Sequence, residues 1–367
     1  MIKKNQTPYC FKEKKKFKLF EFTKFKPDNF WKCPKKYLTK QNNTLFISGP
    51  ARHGNHLLYS LLDGHKEIQN APGEDDMLRL LFSHLNKNEV LTKSKIKKNE
   101  IKFIMQLSCQ NYKDKKNLGY DKWKAVSILL KKNKVLPIWS GTQPEGQGHI
   151  QDFKNHIPNI KYSNFKKYLS DKKNYKTFFD FWYTYMNALK ILTNRKKENI
   201  KYQNIWFGSG LRRELFFLLK KVKNIKVVSP IREFPGFYYS YCLPRYGKVI
   251  FKKKIIKDAW QHWKHKVIDY LILKKIYPSN IVIIKYEDLV LNTNHIMKKV
   301  AINLDIKFNR NLLKPTLLKK KTFGNSSFKI HKEKAGAIYT RKKNNFDLNL
   351  LPKEYNKILA YIEKVKL

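Results

Sequence analysis

The stretch LFISGPARHGNHLL, residues 45–58, decides the fold of this chain. It opens with LFIS, an apolar run of strand length, and leads into NHLLYSLLD, whose leucines recur at helical spacing. The leucines that share one face of this helix are Leu57, Leu58, Leu61 and Leu62. Between the strand and the helix lies a turn in which four residues separate Gly49 from Gly54. A strand, a glycine turn and a helix in this order are the setting of a phosphate-binding loop.

The residues after the second glycine differ from those of a nucleotide triphosphatase. Such an enzyme has Lys followed by Ser or Thr, which reach the γ-phosphate and Mg²⁺, whereas this chain has Asn55 and His56. The backbone N–H groups of the loop and of the helix start still form an anion site. Arg52 adds a fork of donors suited to a phosphate or a sulfate, and Asn55 is placed to cap the helix. The alternative is a helix-capping turn that holds no ligand.

A second segment, SPIREFPGFYYS, predicts another anion site. IKVVSPI (225–231) has the pattern of a strand that ends at Arg232, and Ser240 follows eight residues after that arginine. An arginine and a hydroxyl together suit a second phosphate. The alternative is a structural arginine that pairs with Glu233 or Asp288.

A third segment, IIKYEDLVLNT (283–293), predicts a strand that runs into the start of a helix. Glu287 and Asp288 stand at that helix start, where carboxylates are expected to cap and orient the structure rather than to catalyse. Since strands alternate with helices along the chain, we predict an α/β fold with a parallel sheet. Ligands of such sheets bind at the carboxyl ends of the strands, where the first two segments place their polar residues.

The charge of the chain favours a nucleic-acid ligand at first sight, but the composition weakens that interpretation. There are 78 Lys and Arg against 28 Asp and Glu, a net charge of +50. Only nine of the 78 are Arg, the better reader of bases and phosphates. The chain shows no zinc-finger spacing, no RNP-like strand and no basic region with heptads. We therefore expect no nucleic-acid partner.

The N-terminal residues and the apolar runs of the chain predict its domain organisation and its cellular location. Residues 1–43 hold 13 Lys and predict a basic N-terminal extension, which leaves 44–367 as the main domain. No run approaches the ~18 to 20 apolar residues of a membrane span. No apolar h-region follows the basic N-terminus, so we expect a cytoplasmic protein, with association at a membrane surface left open.

In this order and spacing, the segments resemble the sulfotransferases that use 3′-phosphoadenosine 5′-phosphosulfate (PAPS). ISGPARHGNHLLYSLLDGHKEI (47–68) is similar to the phosphosulfate loop of that family, and SPIREFPGFYYS to its 3′-phosphate segment. IIKYEDLVLNT resembles a strand end of the family, and TFGNSSF (322–328) resembles a segment that covers the cofactor in bacterial members. Within that family, these motifs are most similar to those of the bacterial and Golgi-type enzymes, including tyrosylprotein sulfotransferases. The resemblance implies three layers, a central parallel sheet with helices on both faces, in a P-loop-like sulfotransferase fold.

The resemblance also implies which residues bind the cofactor. Arg52 would act in catalysis at the leaving phosphate oxygen, and Arg232 and Ser240 would hold the 3′-phosphate. The residues implied for the 5′-phosphosulfate and for the covering segment are Arg52, His53, Gly54, Asn55, His56, Leu57, Ser326 and Ser327. Family members usually have Ser or Thr where this chain has Asn55, whose amide can still donate. No metal is implied.

The acceptor hydroxyl needs a base, and the relatives have a Glu some twenty residues after the loop arginine. Here that region is QNAPGEDDML, in which Glu74 and Asp75 both fit. The alternative is that these acids cap a helix that begins near Met77. A rival base is His149, in a glycine-rich loop.

The resemblance implies an enzyme that moves a sulfuryl group from PAPS to a hydroxyl or amine of an acceptor. A carbohydrate acceptor fits the aromatic residues around Trp139 and Trp182, which can stack on a sugar or fill the core. One alternative is a P-loop kinase-like phosphotransferase, which the missing Lys and Ser or Thr argue against. Another is a non-catalytic protein that binds nucleic acid or another polyanion.

Overall fold

The structure, a computed structural model, covers the chain in several stretches, all of them within the unit Lys32–Leu367. The described residues are 43–75, 135–136, 160–161, 199–207, 215–216, 218–219, 224–246, 249–317, 320–321, 336–338 and 346–367. Within these stretches no helix is long and apolar enough to cross a membrane.

A five-stranded parallel sheet forms the centre of the described residues, in the order β2-β5-β1-β6-β7. The pairs β3–β4 and β8–β9 are antiparallel and separate from it. The strands are β1 Thr44–Ile47, β2 Ile68–Asp75, β3 Val135–Leu136, β4 Ile160–Lys161, β5 Tyr202–Phe207, β6 Ile225–Ile231, β7 Ile281–Lys285, β8 Thr316–Leu317 and β9 Lys320–Lys321.

Helices connect and flank these strands. The α-helices are α1 Asn55–Leu62, α2 Phe234–Tyr246, α3 Lys253–Ile276, α4 Tyr286–Leu291, α5 Thr293–Asn303 and α6 Glu354–Val365. Two short 3₁₀ helices cover Arg310–Leu313 and Leu348–Leu350. The four predicted leucines of α1 are at most 1% exposed. Full burial of each contributes roughly 1.5 to 3 kcal/mol, so this helix is held mainly by packing.

Helices lie on both faces of the sheet. Leu45 and Ile47 of β1 share one core cluster with the leucines of α1 and with apolar residues of α5. Ser48 continues the ladder by donating its N–H to the Val228 carbonyl, so its side chain takes the opposite face. There the Ser48 hydroxyl lies 2.7 Å from the hydroxyl of Tyr270 in α3. The predicted three-layer α/β architecture is therefore confirmed.

Strands β1 and β6 are neighbours at the point where the chain changes direction across the sheet. From β1 the chain proceeds through α1 to β2, and from β6 it proceeds through α2 and α3 to β7, on the other side of the strand order. Since α1 and α3 cover opposite faces, the chain leaves the carboxyl ends of β1 and β6 toward opposite sides of the sheet. Such a switch point is where open α/β sheets bind their ligands.

Several predicted elements are confirmed, and five strands were not predicted: β2 and β5 of the central sheet, and the short strands β4, β8 and β9. The strands predicted at 45–48 and 225–231 appear as β1 and β6, and the segment 280–289 appears as β7 followed by α4. Strands β2 and β5 were not predicted, because QNAPGED contains turn residues and YQNIWF carries buried amides. Asparagines are expected outside a core, but here the Asn204 amide donates to the Asn70 side-chain oxygen at 2.8 Å. This hydrogen bond allows both side chains to be buried between the two strands.

Other predicted elements fall partly or wholly outside the described residues. Apolar runs predict strands at 101–108 and 134–139, helical spacing predicts helices at 176–194 and 210–222, and glycines among polar residues predict a loop at 140–151. The strand at 101–108, the loop and the helix at 176–194 lie outside the described residues, as does the basic extension apart from its last residue. Of the strand predicted at 134–139, Val135–Leu136 is a strand. Of the helix predicted at 210–222, the four described residues are helical and buried.

Candidate functional site

The two glycines of the loop after β1 let it pass very close to its neighbours. A Cβ at Gly49 would stand 2.7 Å from the Pro230 carbonyl oxygen at the end of β6. Gly54 has a φ of +96°, and a Cβ there would overlap the ring of Tyr286 in α4. A larger residue at either position would displace the loop, so the glycine spacing holds it against both β6 and α4.

Arg52 lies at the tip of this loop, half-buried, in a left-handed backbone conformation with a φ of 70°. A non-glycine residue in this region costs about 1 to 3 kcal/mol and persists only where its surroundings enforce it. The turn that enforces it is closed by the His53 N–H, which donates to the Pro50 carbonyl at 3.3 Å. Strain of this kind clusters in loops that clamp ligands.

Asn55 begins α1, but the prediction that its side chain caps the helix is wrong. Gly54 is the N-cap, and no side chain caps it. The Asn55 amide instead donates to the carbonyls of Gly49 and Pro50, at 3.1 and 3.0 Å. Both amide hydrogens therefore maintain the shape of the loop from inside. The donors that α1 offers an anion are its first-turn N–H groups, which helix geometry leaves without an intrahelical partner.

His53 joins this loop to the segment after β6. Its side chain is fully buried, and its Nδ1 accepts a hydrogen bond from the Arg232 backbone N–H at 2.8 Å. The contact connects residues 179 positions apart in the chain. It places the two segments that were predicted to bind anions side by side, at the switch point of the sheet.

The imidazole of His53 is neutral. Burial lowers its pKa well below 6.5, and the nearby charges of Arg232 and His262 lower it further. Since Nδ1 accepts a hydrogen bond, the remaining proton stands on Nε2. This buried Nε2–H has no hydrogen-bond partner among the residues the structure describes. A buried donor of this kind calls for an explanation, and a bound acceptor would supply one.

The backbone around Arg232 is held from three directions. His53 accepts from its N–H, and the indole N–H of Trp263 in α3 donates to its carbonyl at 2.8 Å. The Glu287 carboxylate in α4 accepts from the next backbone N–H, that of Glu233, at 3.2 Å. These contacts fix the point from which the arginine side chain extends.

The Arg232 side chain lies between α2 and α4. Its Cζ is 4.5 Å from the centroid of the Tyr286 ring. Its Nε stands 2.7 Å from where a Cβ of Gly236 would be, so any larger residue there would displace the arginine side chain. Ser240 follows Gly236 by four residues and shares its face of α2. The arginine and the hydroxyl predicted to hold a phosphate therefore border the same helix face.

Glu287 and Asp288 orient the structure, as the sequence predicted, but neither caps α4, because no side chain caps that helix. Burial and the charge of Glu233 raise the pKa of Glu287 to about 7. Asp288 pairs with Lys366 at 2.6 Å, close to the end of the chain. The alternative partner proposed for Arg232, Glu233, forms an ion pair with Lys285 at 2.7 Å.

Glu74 and Asp75 are the last two residues of β2. Glu74 is in register with Trp206 of β5, and Trp206 is in register with Ile47, the last residue of β1. The backbone of Glu74 thus stands at the level where the glycine loop begins, two strands away, or about 10 Å at the usual strand spacing. This position is compatible with the predicted base.

The remaining predicted site residues and alternatives lie outside the described residues. They are Ser326, Ser327, His149, Trp139, Trp182 and the helix start near Met77. Within the described ranges, no group of three His, Cys, Asp or Glu side chains is arranged to hold a metal ion.

The sequence did not reveal the side-chain roles of His53 and Trp263. His53 was predicted to contribute a backbone N–H, whereas its imidazole links two segments. Trp263 lies in a helix whose apolar spacing predicts a core residue, and it is fully buried. No local pattern signals either contact with Arg232, because both join residues distant in the chain.

Comparison with known proteins gives no match to a family model and none to a curated protein. Among solved structures, the chain is similar to the sulfotransferase domain of the Synechococcus PCC 7002 olefin synthase, at 14% identity and a TM-score of 0.44, over 91% of this chain and 97% of that one. It is also similar to the sulfotransferase domain of the curacin biosynthetic pathway, at 14% identity and a TM-score of 0.42, over 89% and 99% of the two chains. A third is sulfotransferase STF9 from Mycobacterium avium, at 13% identity and a TM-score of 0.35, over 75% and 66%. Since each TM-score is below 0.5, the function is argued below from residues of this chain.

Proposed function

We propose that this protein is a sulfotransferase that moves a sulfuryl group from PAPS to a hydroxyl or amine of an acceptor. The observation that carries the proposal is the hydrogen bond from the Arg232 N–H to His53. It sets a glycine loop suited to one phosphate beside an arginine suited to another, as a bisphosphate nucleotide requires. The motif resemblance of these segments supports the same assignment.

The residues of the loop fit a phosphosulfate better than a triphosphate. A triphosphate site needs a Lys and a Mg²⁺-binding hydroxyl, whereas the loop has Asn55, whose amide donates to the loop carbonyls. A single phosphosulfate carries less charge, so backbone N–H groups and Arg52 can neutralise it. The buried Nε2–H of His53 is one further donor within the loop.

Each group of the site has a role in this proposal. PAPS supplies a sulfuryl group that is activated by its bond to a phosphate. Arg52 and the N–H groups of residues 54–57 stabilise the negative charge that develops on the leaving phosphate oxygen, whereas the His53 N–H closes the turn. Arg232 and Ser240 hold the 3′-phosphate, and Ser326 and Ser327 contribute from the segment that resembles a cofactor cover.

Glu74 or Asp75 is the proposed base, which takes the proton that the acceptor hydroxyl loses. Both residues end β2 at the carboxyl edge of the sheet, the edge where the glycine loop begins. The proposed acceptor class is a hydroxyl-bearing molecule, with a carbohydrate as the first candidate to assay.

The proposal is tested by ligand binding and by turnover of the purified full chain. Adenosine 3′,5′-bisphosphate should raise the Tm, and AMP should raise it much less, because AMP offers Arg232 no 3′-phosphate. Transfer of labelled sulfuryl from PAPS to a panel of carbohydrate hydroxyls should persist in EDTA. Transfer of phosphate that requires Mg²⁺ would instead support the kinase-like alternative. Salt-dependent binding of polyanions with no transfer would support a non-catalytic binding protein.

A further inference from the structure

A basic cavity lies at the opposite edge of the sheet from the glycine loop. Its volume is about 590 Å³. It is formed where the turn after α1, the segment around the first 3₁₀ helix and the β8–β9 hairpin meet. The lining residues are Gly64, Lys66, Lys307, Phe308, Asn309, Asn311, Lys314, Thr316 and Lys321. Because the turn after α1 leads into the amino end of β2, this amino-end cavity is separate from the site described above.

Positive charge in the amino-end cavity is not balanced by acidic lining residues. Its four lysines come from the three segments that form it, with Lys307 and Lys314 on either side of the 3₁₀ helix, and none of the lining residues that the structure describes is Asp or Glu. Two carboxylates contact lining residues from outside the lining: Asp63 accepts from the Thr316 hydroxyl at 2.7 Å, and Glu67 accepts from the Lys307 backbone N–H at 3.1 Å. Among the described residues none of these four lysines forms an ion pair. An anion that enters would therefore meet unbalanced positive charge.

The backbone that carries these lysines is fixed by hydrogen bonds. His65 is fully buried; its Nε2 donates to the Lys307 carbonyl at 2.8 Å, and its Nδ1 accepts from the Glu67 N–H at 3.2 Å. The Asn311 amide donates to the Gly64 carbonyl at 3.4 Å. The turn after α1 and the segment around the 3₁₀ helix are thus held together, so two of the three segments that form the cavity have a fixed backbone.

One wall of the cavity is aromatic. Phe308 is half-buried, and the Lys298 ammonium lies 5.6 Å from the centroid of its ring. An aromatic face offers apolar contact to a sugar-like ring, while the surrounding lysines and asparagines offer hydrogen bonds to its substituents. The volume falls within the ~300 to 1,000 Å³ of small-molecule sites.

We infer that the amino-end cavity binds a compact organic polyanion, a sugar-like ring that carries two or more sulfate or phosphate esters. Four lysines from different directions suit several anionic groups on one rigid ring better than a single ion. The inference does not depend on the proposed sulfuryl transfer, since none of the lining residues belongs to the site at the carboxyl ends.

The test is calorimetric titration of the full chain with sucrose octasulfate at a fixed salt concentration. We expect one site per chain and a Kd at least tenfold weaker in the double variant Lys66→Gln/Lys314→Gln. The control is Lys253→Gln/Lys254→Gln, which removes two exposed lysines at the start of α3 and should change the Kd less than twofold. Equal weakening in both variants, or several weak sites per chain, would overturn the inference. If the first variant fails to fold, Lys307→Gln/Lys321→Gln removes the other two charges.

Two further titrations separate this cavity from other anion sites. Adenosine 3′,5′-bisphosphate should bind the double variant and the wild type with the same Kd, whether or not sulfuryl transfer is ever observed. A weaker bisphosphate Kd in the double variant would show that the cavity is not a separate site. A short single-stranded oligonucleotide that binds tightly, and loses as much affinity as sucrose octasulfate does, would reassign the cavity to a nucleic-acid surface and overturn the small-ring inference.

Discussion

The two edges of the parallel sheet present positive charge in different ways. At the carboxyl edge, Arg232 is half-buried, and its peptide is hydrogen-bonded to His53 and Trp263. At the amino edge, four lysines surround a cavity, and their long side chains extend from a fixed backbone. A rigid guanidinium fork selects ligands by geometry, whereas a set of lysines attracts them by charge. We therefore expect the carboxyl edge to be the more selective of the two, because its cation is partly buried and its backbone is fixed.

Burial also makes the carboxyl edge sensitive to protonation. His53 stays neutral because burial and the nearby positive charge of Arg232 lower its pKa, so it contributes hydrogen-bond geometry rather than charge. Glu287 has a pKa of about 7, raised by burial and by Glu233. At the amino edge the buried imidazole of His65 ties two backbone segments together and leaves the lysines in solvent. Single substitutions at the carboxyl edge should therefore change turnover, stability or nucleotide affinity by very different amounts.

The largest effect is expected at the end of β2. Glu74→Gln should lower kcat by roughly 10² to 10⁴, the range for loss of a general base, because Gln keeps the shape but cannot accept the proton. Affinity for adenosine 3′,5′-bisphosphate should stay within twofold. Steady-state kinetics with PAPS and an accepted substrate, together with a bisphosphate titration, measure both quantities.

Asp75→Asn is the companion to that variant. If Asp75→Asn alone abolishes turnover, the role of base belongs to Asp75. If both variants turn over normally and bind the nucleotide, neither acid is the base, and the chemistry does not depend on the end of β2.

Glu287 should make stability depend on pH. The folded state raises its pKa from 4.5 to about 7, so the stability it contributes is present below pH 4.5 and lost as the pH rises through 7. Between these limits the wild type should lose on the order of 3 kcal/mol of unfolding free energy relative to Glu287→Gln. Urea denaturation of both proteins from pH 4.5 to 8 measures this difference. Parallel pH profiles would contradict the buried carboxyl.

His53→Leu should weaken both the fold and the site. The change removes the acceptor of the Arg232 N–H, and an unsatisfied buried N–H costs roughly 1 to 3 kcal/mol. We expect a loss of that size in unfolding free energy and about a tenfold weaker Kd for adenosine 3′,5′-bisphosphate. His53→Asn, whose amide oxygen can stand near the position of Nδ1, should recover part of both losses. If His53→Leu and His53→Asn lose the same stability and the same affinity, the hydrogen bond to Arg232 is not what holds the two segments together.

Asp288→Asn should have the smallest effect. Its ion pair with Lys366 has side-chain exposures of 27% and 22%, and such pairs contribute about 0.2 to 1 kcal/mol. The bisphosphate Kd should not change, because Asp288 faces the end of the chain rather than Arg232. A loss of affinity comparable to that of His53→Leu would place Asp288 in the binding site.

The sequence predicted the parts of the molecule whose signals are local. The glycine spacing gave the loop after β1, and the apolar runs before Arg232 and Tyr286 gave β6 and β7 with nearly their observed bounds. These predictions succeeded because a strand, a turn and a helix start each depend on residues within one short stretch.

What the sequence could not predict depends on contacts between distant residues. Strand β2 runs through a proline and a glycine with a register shift between Asn70 and Glu74, and pairing with β5 maintains it. The side chain of Asn55 was predicted to cap α1, whereas its amide donates to a carbonyl of the preceding loop, a contact that depends on how the loop folds. The amino-end cavity joins lysines from three segments, and nothing in any one segment marks it among so many other lysines.

The central claim is that Arg232 reads the 3′-phosphate of a bisphosphate nucleotide. It is tested most directly by the Kd of adenosine 3′,5′-bisphosphate and of AMP for Arg232→Ala, with Arg310→Ala, an exposed arginine at the amino edge, as the matched control. Since a hydrogen bond to a charged group contributes roughly 1.5 to 3 kcal/mol, Arg232→Ala should weaken the bisphosphate at least tenfold and leave AMP nearly unchanged. Arg310→Ala should change neither Kd. Equal losses for both nucleotides in Arg232→Ala, or none, would contradict the account.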